Sequence, residues 1–203
     1  LAAGVTPRTR AIAVSHVQWS SGAVMPLKEI AAFARERGII TMVDAAQSIG
    51  QIPIDVHDLG VDAYAMAGQK WLCGPGGTGA LYVRRDRLGD IRPTYLRYGA
   101  FDPHGFVVPP EGAARFEMGE MYNPAIRALD AGLSWIRDEI TFPWAYDRVS
   151  RLAQRLADGL AEVPGVTVTT PRGRMAGLVC FTIDGMAVKA VSDAAYEHGY
   201  TIR

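Results

Sequence analysis

The stretch that decides the fold spans residues 39–84, IITMVDAAQSIGQIPIDVHDLGVDAYAMAGQKWLCGPGGTGALYVR. It holds two short apolar runs that stop on polar residues. Residues 39–43 halt at Asp44, and residues 61–65 lead through Ala67 and Gly68 into Gln69 and Lys70. Short runs of this kind, rich in small and β-branched residues and bounded by turn formers, predict buried strands. A glycine-rich turn and a third strand over residues 80–83 follow. Open α/β sheets bind their ligands beyond the strand ends, which is where these strands deliver an acid, an amide and an amine.

That trio suits a cofactor with a basic ring nitrogen and an aldehyde. Asp44 can salt-bridge the ring nitrogen of pyridoxal phosphate and keep it protonated, which makes the ring a sink for the electrons of a substrate carbanion. Lys70 can hold the aldehyde as a Schiff base. Gln47, three residues beyond Asp44, can donate an amide hydrogen bond to the ring's phenolic oxygen if a helical turn follows the strand. Taken singly, each has a plainer reading. An aspartate closing a strand before small residues caps a helix or forms a turn, and a lysine after Gly-Gln is a solvated charge. It is the combination that favours a site.

At these residues the chain resembles the class V branch of the fold-type I pyridoxal-phosphate enzymes, which includes cysteine desulfurases, cysteine C–S lyases, isopenicillin-N-epimerase-like proteins and some aminotransferases. The blocks VDAAQSIGQIPIDV and VDAYAMAGQKWLCGPGGTGALYVR carry the likeness, which extends back to SHVQWSSGAVMPLKEI and forward to RFEMGE. It implies Lys70 as the Schiff-base lysine, Asp44 as the pyridinium partner and Gln47 as the phenolic-oxygen contact. Gln69 stands where desulfurases commonly place a histidine, and its amide can still donate. His16, at the end of an expected strand, is either a cofactor contact or a hydrogen-bonded structural histidine.

Besides Gln69, the chain departs from the resembled pattern at three places. Ala67 has no hydroxyl where a serine commonly touches the phosphate, and Trp19 stands where some relatives place an asparagine against the ring oxygen. In the family's RFExGT block the closing threonine reaches the cofactor phosphate of the neighbouring subunit. Glu120 occupies that position here, and a carboxylate facing a phosphate repels it. Cys73, three residues after Lys70, falls at a position that is structural in the family. Arg92, Arg97 and Tyr98 are either solvated or line the mouth of the site.

Residues 74–79, GPGGTG, satisfy the dinucleotide fingerprint GxGxxG, but that fingerprint needs a helix after it and here a strand follows. A nicotinamide or flavin site is therefore disfavoured. The 203 residues are 49% hydrophobic with 21 basic and 21 acidic side chains, so the chain can bury a core and has no charge bias toward nucleic acid or an anionic membrane. No apolar run approaches the roughly eighteen residues of a membrane span. Cys73 and Cys180 make no disulfide framework, and no Cys/His spacing suggests a metal. A cytoplasmic location is expected.

Around the central stretch the pattern predicts a strand at residues 10–17 and an amphipathic helix over residues 27–37. Residues 84–110 read as a surface or subunit-interface excursion. Helices are expected over residues 123–137 and 143–162, then strands over 166–170 and 178–183, with Cys180 in the core. A helix near residues 187–198 and a terminal strand complete the pattern. The expected fold class is α/β: part of the fold-type I large domain over residues 1–122, with a mostly parallel sheet and flanking helices. A connecting helix over 123–145 then leads to a partial, small α+β C-terminal domain over 146–203. The resembled family carries a phosphate-binding turn and a stacking ring before the segment matched here, so an internal fragment of a protein roughly twice as long is expected. The resemblance implies a homodimer acting on an amino acid by cysteine desulfurase-like or C–S lyase-like chemistry. Transamination, epimerisation and a cofactor-free partner subunit are the alternatives.

Overall fold

The computed structural model describes residues 1–95, 97, 100, 102–105 and 111–203. Its centre is a four-stranded sheet in the order β1 (Ala11–Ser15), β2 (Ile40–Asp44), β3 (Ala63–Ala67) and β4 (Gly79–Val83). The first three strands are parallel and β4 runs antiparallel to β3. Because β4 begins at Gly79, the glycine-rich turn feeds a strand and not a helix, and the dinucleotide reading falls.

Between β1 and β2 the chain forms α1 (Leu27–Arg35), which buries Leu27, Ile30, Ala31 and Ala34, spaced as one helical stripe. That stripe packs with Ile12, Val43, Val61 and Tyr64 from the strands to make the core. Leu27 is 2% exposed, a burial worth about 2 kcal/mol. Residues on the other face of the sheet lie in two rows, Ala13–Met42–Ala63–Val83 and Ser15–Asp44–Ala65–Leu81. This face is open: Met42 and Leu81 are 43% and 42% exposed.

Residues 51–60, expected as loop, contain one helical turn, α2 (Val56–Leu59). Its cap is legible in hindsight, since the Asp55 carboxylate accepts from His57 N and Asp58 N and Gly60 closes the turn at φ +69°. At the N-terminal end of β3, buried Asp62 accepts from Thr41 N at 2.8 Å and Thr41 Oγ1 at 3.1 Å. Its other oxygen meets Arg84 at 3.0 Å and Arg87 at 3.2 Å.

Farther along come α3 (Asn123–Trp135), a five-residue π-helical turn (Ile136–Ile140) and α4 (Phe142–Ala161). Thr141, at φ +66°, caps α4 by accepting from Trp144 N. Two antiparallel strands, β5 (Val166–Val168) and β6 (Phe181–Ile183), and a last helix, α5 (Val188–Glu197), follow.

Two expectations need correcting here. The strand expected over residues 178–183 starts only at Phe181; Cys180 O still accepts from Thr169 N at 2.8 Å, and farther back the chain turns to the segment after β1. Val24 N donates to Arg174 O at 2.8 Å, and Ala23 bridges Met175. Cys180 is accordingly half-buried rather than core, with Sγ 3.9 Å from Trp19 O. The terminal strand is absent: Tyr200 N donates to Ala195 O at 2.9 Å, closing α5, and residues 200–203 are exposed and unpaired in any sheet. Among the described residues no helix is long and apolar enough to cross a membrane.

Candidate active site

Asp44 ends β2 on the open face, between Ser15 of β1 and Ala65 of β3. Its Oδ1 accepts from Ala46 N at 2.9 Å, which starts a turn continued by Ile49 N donating to Ala45 O at 3.2 Å. The helical turn that the Gln47 reading requires is therefore present. Asp44 Oδ2 has no hydrogen-bond partner among the described residues. It borders a groove of about 390 Å³ floored by the small side chains Ala13, Ser15 and Ala65, with Met42 and Leu81 also lining it. Lys70 is not among the residues that line this groove.

Lys70 and Gln69 sit on the loop between β3 and β4, both exposed and with no side-chain hydrogen bond or ion pair among the described residues. The loop is drawn tight by Gly68 N donating to Thr78 O and Gly74 N donating to Gly68 O, both at 2.8 Å. Thr78 Oγ1 in turn donates to Pro75 O at 2.7 Å. A Cβ on Gly68 would collide with Thr78 Oγ1 and press on Leu129 of α3, so only glycine fits there. Cys73, at φ +56°, holds a left-handed corner of the same loop.

The two halves of the candidate site meet at Trp71. Its Nε1–H donates to Gln47 Oε1 at 3.0 Å. The Gly50 backbone, at φ +83°, lies so close that a Cβ there would stand 2.7 Å from Trp71 O. The turn after Asp44 and the loop bearing Lys70 thus touch backbone to backbone. One position farther, Gln51 is 1% exposed, donating to Gln47 O and accepting from Gly177 N.

His16 lies beneath this turn, 5% exposed, with its ring committed to a buried chain. Nδ1 is 2.8 Å from Tyr64 Oη, which is 2.8 Å from Ser48 Oγ, and Ser48 Oγ donates to Ala45 O at 3.2 Å. Since the serine proton goes to Ala45, Tyr64 donates to Ser48 and the proton facing Tyr64 sits on His16 Nδ1. Burial lowers the His16 pKa to about 4 and raises that of Tyr64 to about 12, the latter opposed by the Ser48 hydrogen bond. The imidazole is therefore neutral at physiological pH. His16 N also donates to Asp44 O at 2.9 Å, so the chain anchors the strand end that presents the carboxylate. Sequence reasoning missed Tyr64 and Ser48. The available signal was that Tyr64 stands between Ala63 and Ala65 on the buried face of β3, where its hydroxyl must find a partner.

The remaining named residues lie farther out. Ala67 pairs with Gly79 across β3 and β4, Trp19 is 65% exposed, and Glu120 is exposed. In the RFEMGE block, Arg115 donates to Leu88 O and Glu117 pairs with Arg97 at 3.5 Å. Arg92 borders a second apolar groove of about 300 Å³ next to Ile91 and Tyr95. Tyr98 lies outside the described residues.

Comparison with known proteins gives the family and the fold. The family model "Aminotransferase class-V" matches residues 1–203. A probable cysteine desulfurase of Mycobacterium leprae is 30% identical over 97% of this chain and 47% of its own length. The isopenicillin N epimerase of Streptomyces clavuligerus is 34% identical over 83% of this chain and 44% of its own. The chain thus spans about half the length of these relatives. Among solved structures, the cystine C–S lyase C-DES in complex with cysteine persulfide superposes with a TM-score of 0.89 at 34% identity, covering all of this chain and 55% of that one. Another structure of C-DES holds glycine covalently linked to its PLP cofactor. With the whole chain matched by one family model and its fold shared with C-DES, the protein belongs to the class-V aminotransferase family.

Proposed function

We propose that the full protein is a pyridoxal-phosphate-dependent enzyme acting on an amino acid, by cysteine desulfurase-like or C–S lyase-like chemistry. The observation that carries this reading is the donor set around the turn after β2. Among the described residues one oxygen of Asp44 has no partner beside the small-residue groove, the Gln47 NH₂ has none, and the Lys70 amine has none on the loop that touches that turn. These groups fit pyridoxal phosphate: Asp44 would hold the proton on the ring nitrogen, Gln47 would donate to the phenolic oxygen and Lys70 would bind the aldehyde. The cofactor, when bound, supplies an electron sink for charge that develops at the substrate α-carbon.

The Lys70 amine would also be the general base that moves the substrate α-proton. The tight glycine loop limits where its nitrogen travels. Gln69 supplies a further amide beside it. His16, through its backbone bond to Asp44, supports the carboxylate from below. The phosphate grip differs from the usual desulfurase pattern at Ala67 and Glu120. A homodimer and a cytoplasmic location are proposed from the family resemblance.

The test is to express the full parent gene, reduce the loaded protein with borohydride and locate the cofactor adduct by peptide mass. The adduct is expected on Lys70 and absent in Lys70→Ala. Cysteine is then assayed for sulfide, alanine and pyruvate. Alanine without pyruvate identifies a desulfurase, pyruvate identifies a lyase, and absence of any adduct overturns the reading in favour of a cofactor-free partner subunit.

A further inference from the structure

Trp71 follows Lys70 directly, and its indole Nε1–H lies 3.0 Å from Gln47 Oε1. An indole N–H can only donate, so the end of the Gln47 amide that faces it is the oxygen, and the NH₂ is turned away as a donor. We propose that Trp71 is a positioning residue, orienting the Gln47 amide so that its NH₂ group, and not its oxygen, is presented to the phenolic oxygen of the cofactor. The inference rests on reading Gln47 as the phenolic-oxygen contact. An amide turned end for end would set a carbonyl against an oxygen that carries negative charge.

The indole is well placed for this task because it is clamped on two sides. Gly50 lets the turn after Asp44 lie against the Trp71 carbonyl, where a Cβ would stand 2.7 Å from the oxygen. Gly177 lets the C-terminal segment lie against the ring, where a Cβ would stand 2.9 Å from Trp71 Cη2. The Gln47 backbone is held in turn, since its carbonyl accepts from the Gln51 amide. Both partners in the Trp71–Gln47 hydrogen bond are therefore fixed from outside the bond. The bond also ties the turn after β2 to the residue next to Lys70, so amide and amine keep one register.

The experiment uses the full-length, cofactor-loaded protein and reads the pH at which its visible absorbance band titrates. Deprotonation of the lysine adduct leaves more negative charge on the phenolic oxygen, so a donor there favours the deprotonated form and its loss raises the midpoint. Gln47→Ala is expected to raise the midpoint by roughly one pH unit. Trp71→Phe, which removes the N–H and keeps an aromatic ring, is expected to raise it by part of that. The double variant should match Gln47→Ala, because Trp71 acts only through the amide. Trp71→His, whose ring keeps an N–H donor, is expected to leave the midpoint nearer the native value than Trp71→Phe does, and it serves as the second variant where Trp71→Phe lowers the melting temperature too far. An unmoved midpoint in Trp71→Phe, or shifts that add in the double variant, overturns the proposal while the Gln47 reading stands. An unmoved midpoint in Gln47→Ala overturns that reading and the proposal with it.

Discussion

His16 shows how one residue ties the candidate site to the stability of the fold. Its folded pKa of about 4 lies below the ordinary histidine value of 6.5, so between those limits the unfolded chain takes up a proton that the native chain refuses. The contribution is complete above pH 6.5 and is lost as the pH falls toward 4. Discounted for relaxation and screening around the ring, the loss is roughly 2 kcal/mol. Urea titrations of the full-length protein at pH 7 and pH 4.5 are expected to show this extra loss in the native sequence and not in His16→Asn, the other titrations being common to both. Tyr64 is the other end of the same argument. Tyr64→Phe strips the acceptor from His16 Nδ1 and the donor from Ser48, and leaves both partners buried. It is expected to cost about 2 kcal/mol in urea, more than a surface tyrosine would. A cost near zero would show that water replaces the hydroxyl.

Among the elements, β3 is held at both ends by different physics. At its C-terminal end the strand passes into the glycine loop that carries Lys70. At its N-terminal end Asp62 fastens β2, through Thr41, to the two arginines that follow β4. A buried carboxylate is stable there only because four donors face it, and removing it strands Arg84 and Arg87, 22% and 21% exposed. Asp62→Ala is therefore expected to destabilise the protein by about 3 kcal/mol, at the lower end of what breaking a buried ion pair costs, since the arginines keep some water. Asp62→Asn, which keeps one acceptor, should cost less. Equal losses in both would locate the effect in packing rather than charge. Neither role of Asp62 shows in a sequence read for strand ends, because a charged residue opening an apolar run looks like a boundary. The strands of the four-stranded sheet and α1 were legible because period and punctuation encode them. That a strand and not a helix follows the glycines was legible too, from the apolar run after them, but its antiparallel direction is set by pairing with β3 and was not read.

In the molecule as a whole, the long-range polar contacts were hidden. Gln51 reads as a loop residue, yet it is 1% exposed and bonds to Gly177, 126 positions away. No periodicity predicts such a pair; only the fold brings the two backbones to one point. The same crossing shows how residues 174–177 are held, against Val24, Ala23, Gln51 and Trp71, before the chain reaches β6. The acid, amide and amine of the candidate site were readable because their order and spacing recur in a family, whereas the groups that orient them are set by tertiary contacts. A test at this scale follows from Gln51→Ala. The change frees Gly177 N and the Gln47 carbonyl in a part-buried region, which should cost about 1 kcal/mol. More tellingly, amide hydrogen exchange should speed up over residues 174–180 and in the turn at residues 45–51 together, while α1 and β2 keep their protection. Faster exchange confined to residues 174–180 would mean that the C-terminal segment rests on the Asp44 turn without steadying it.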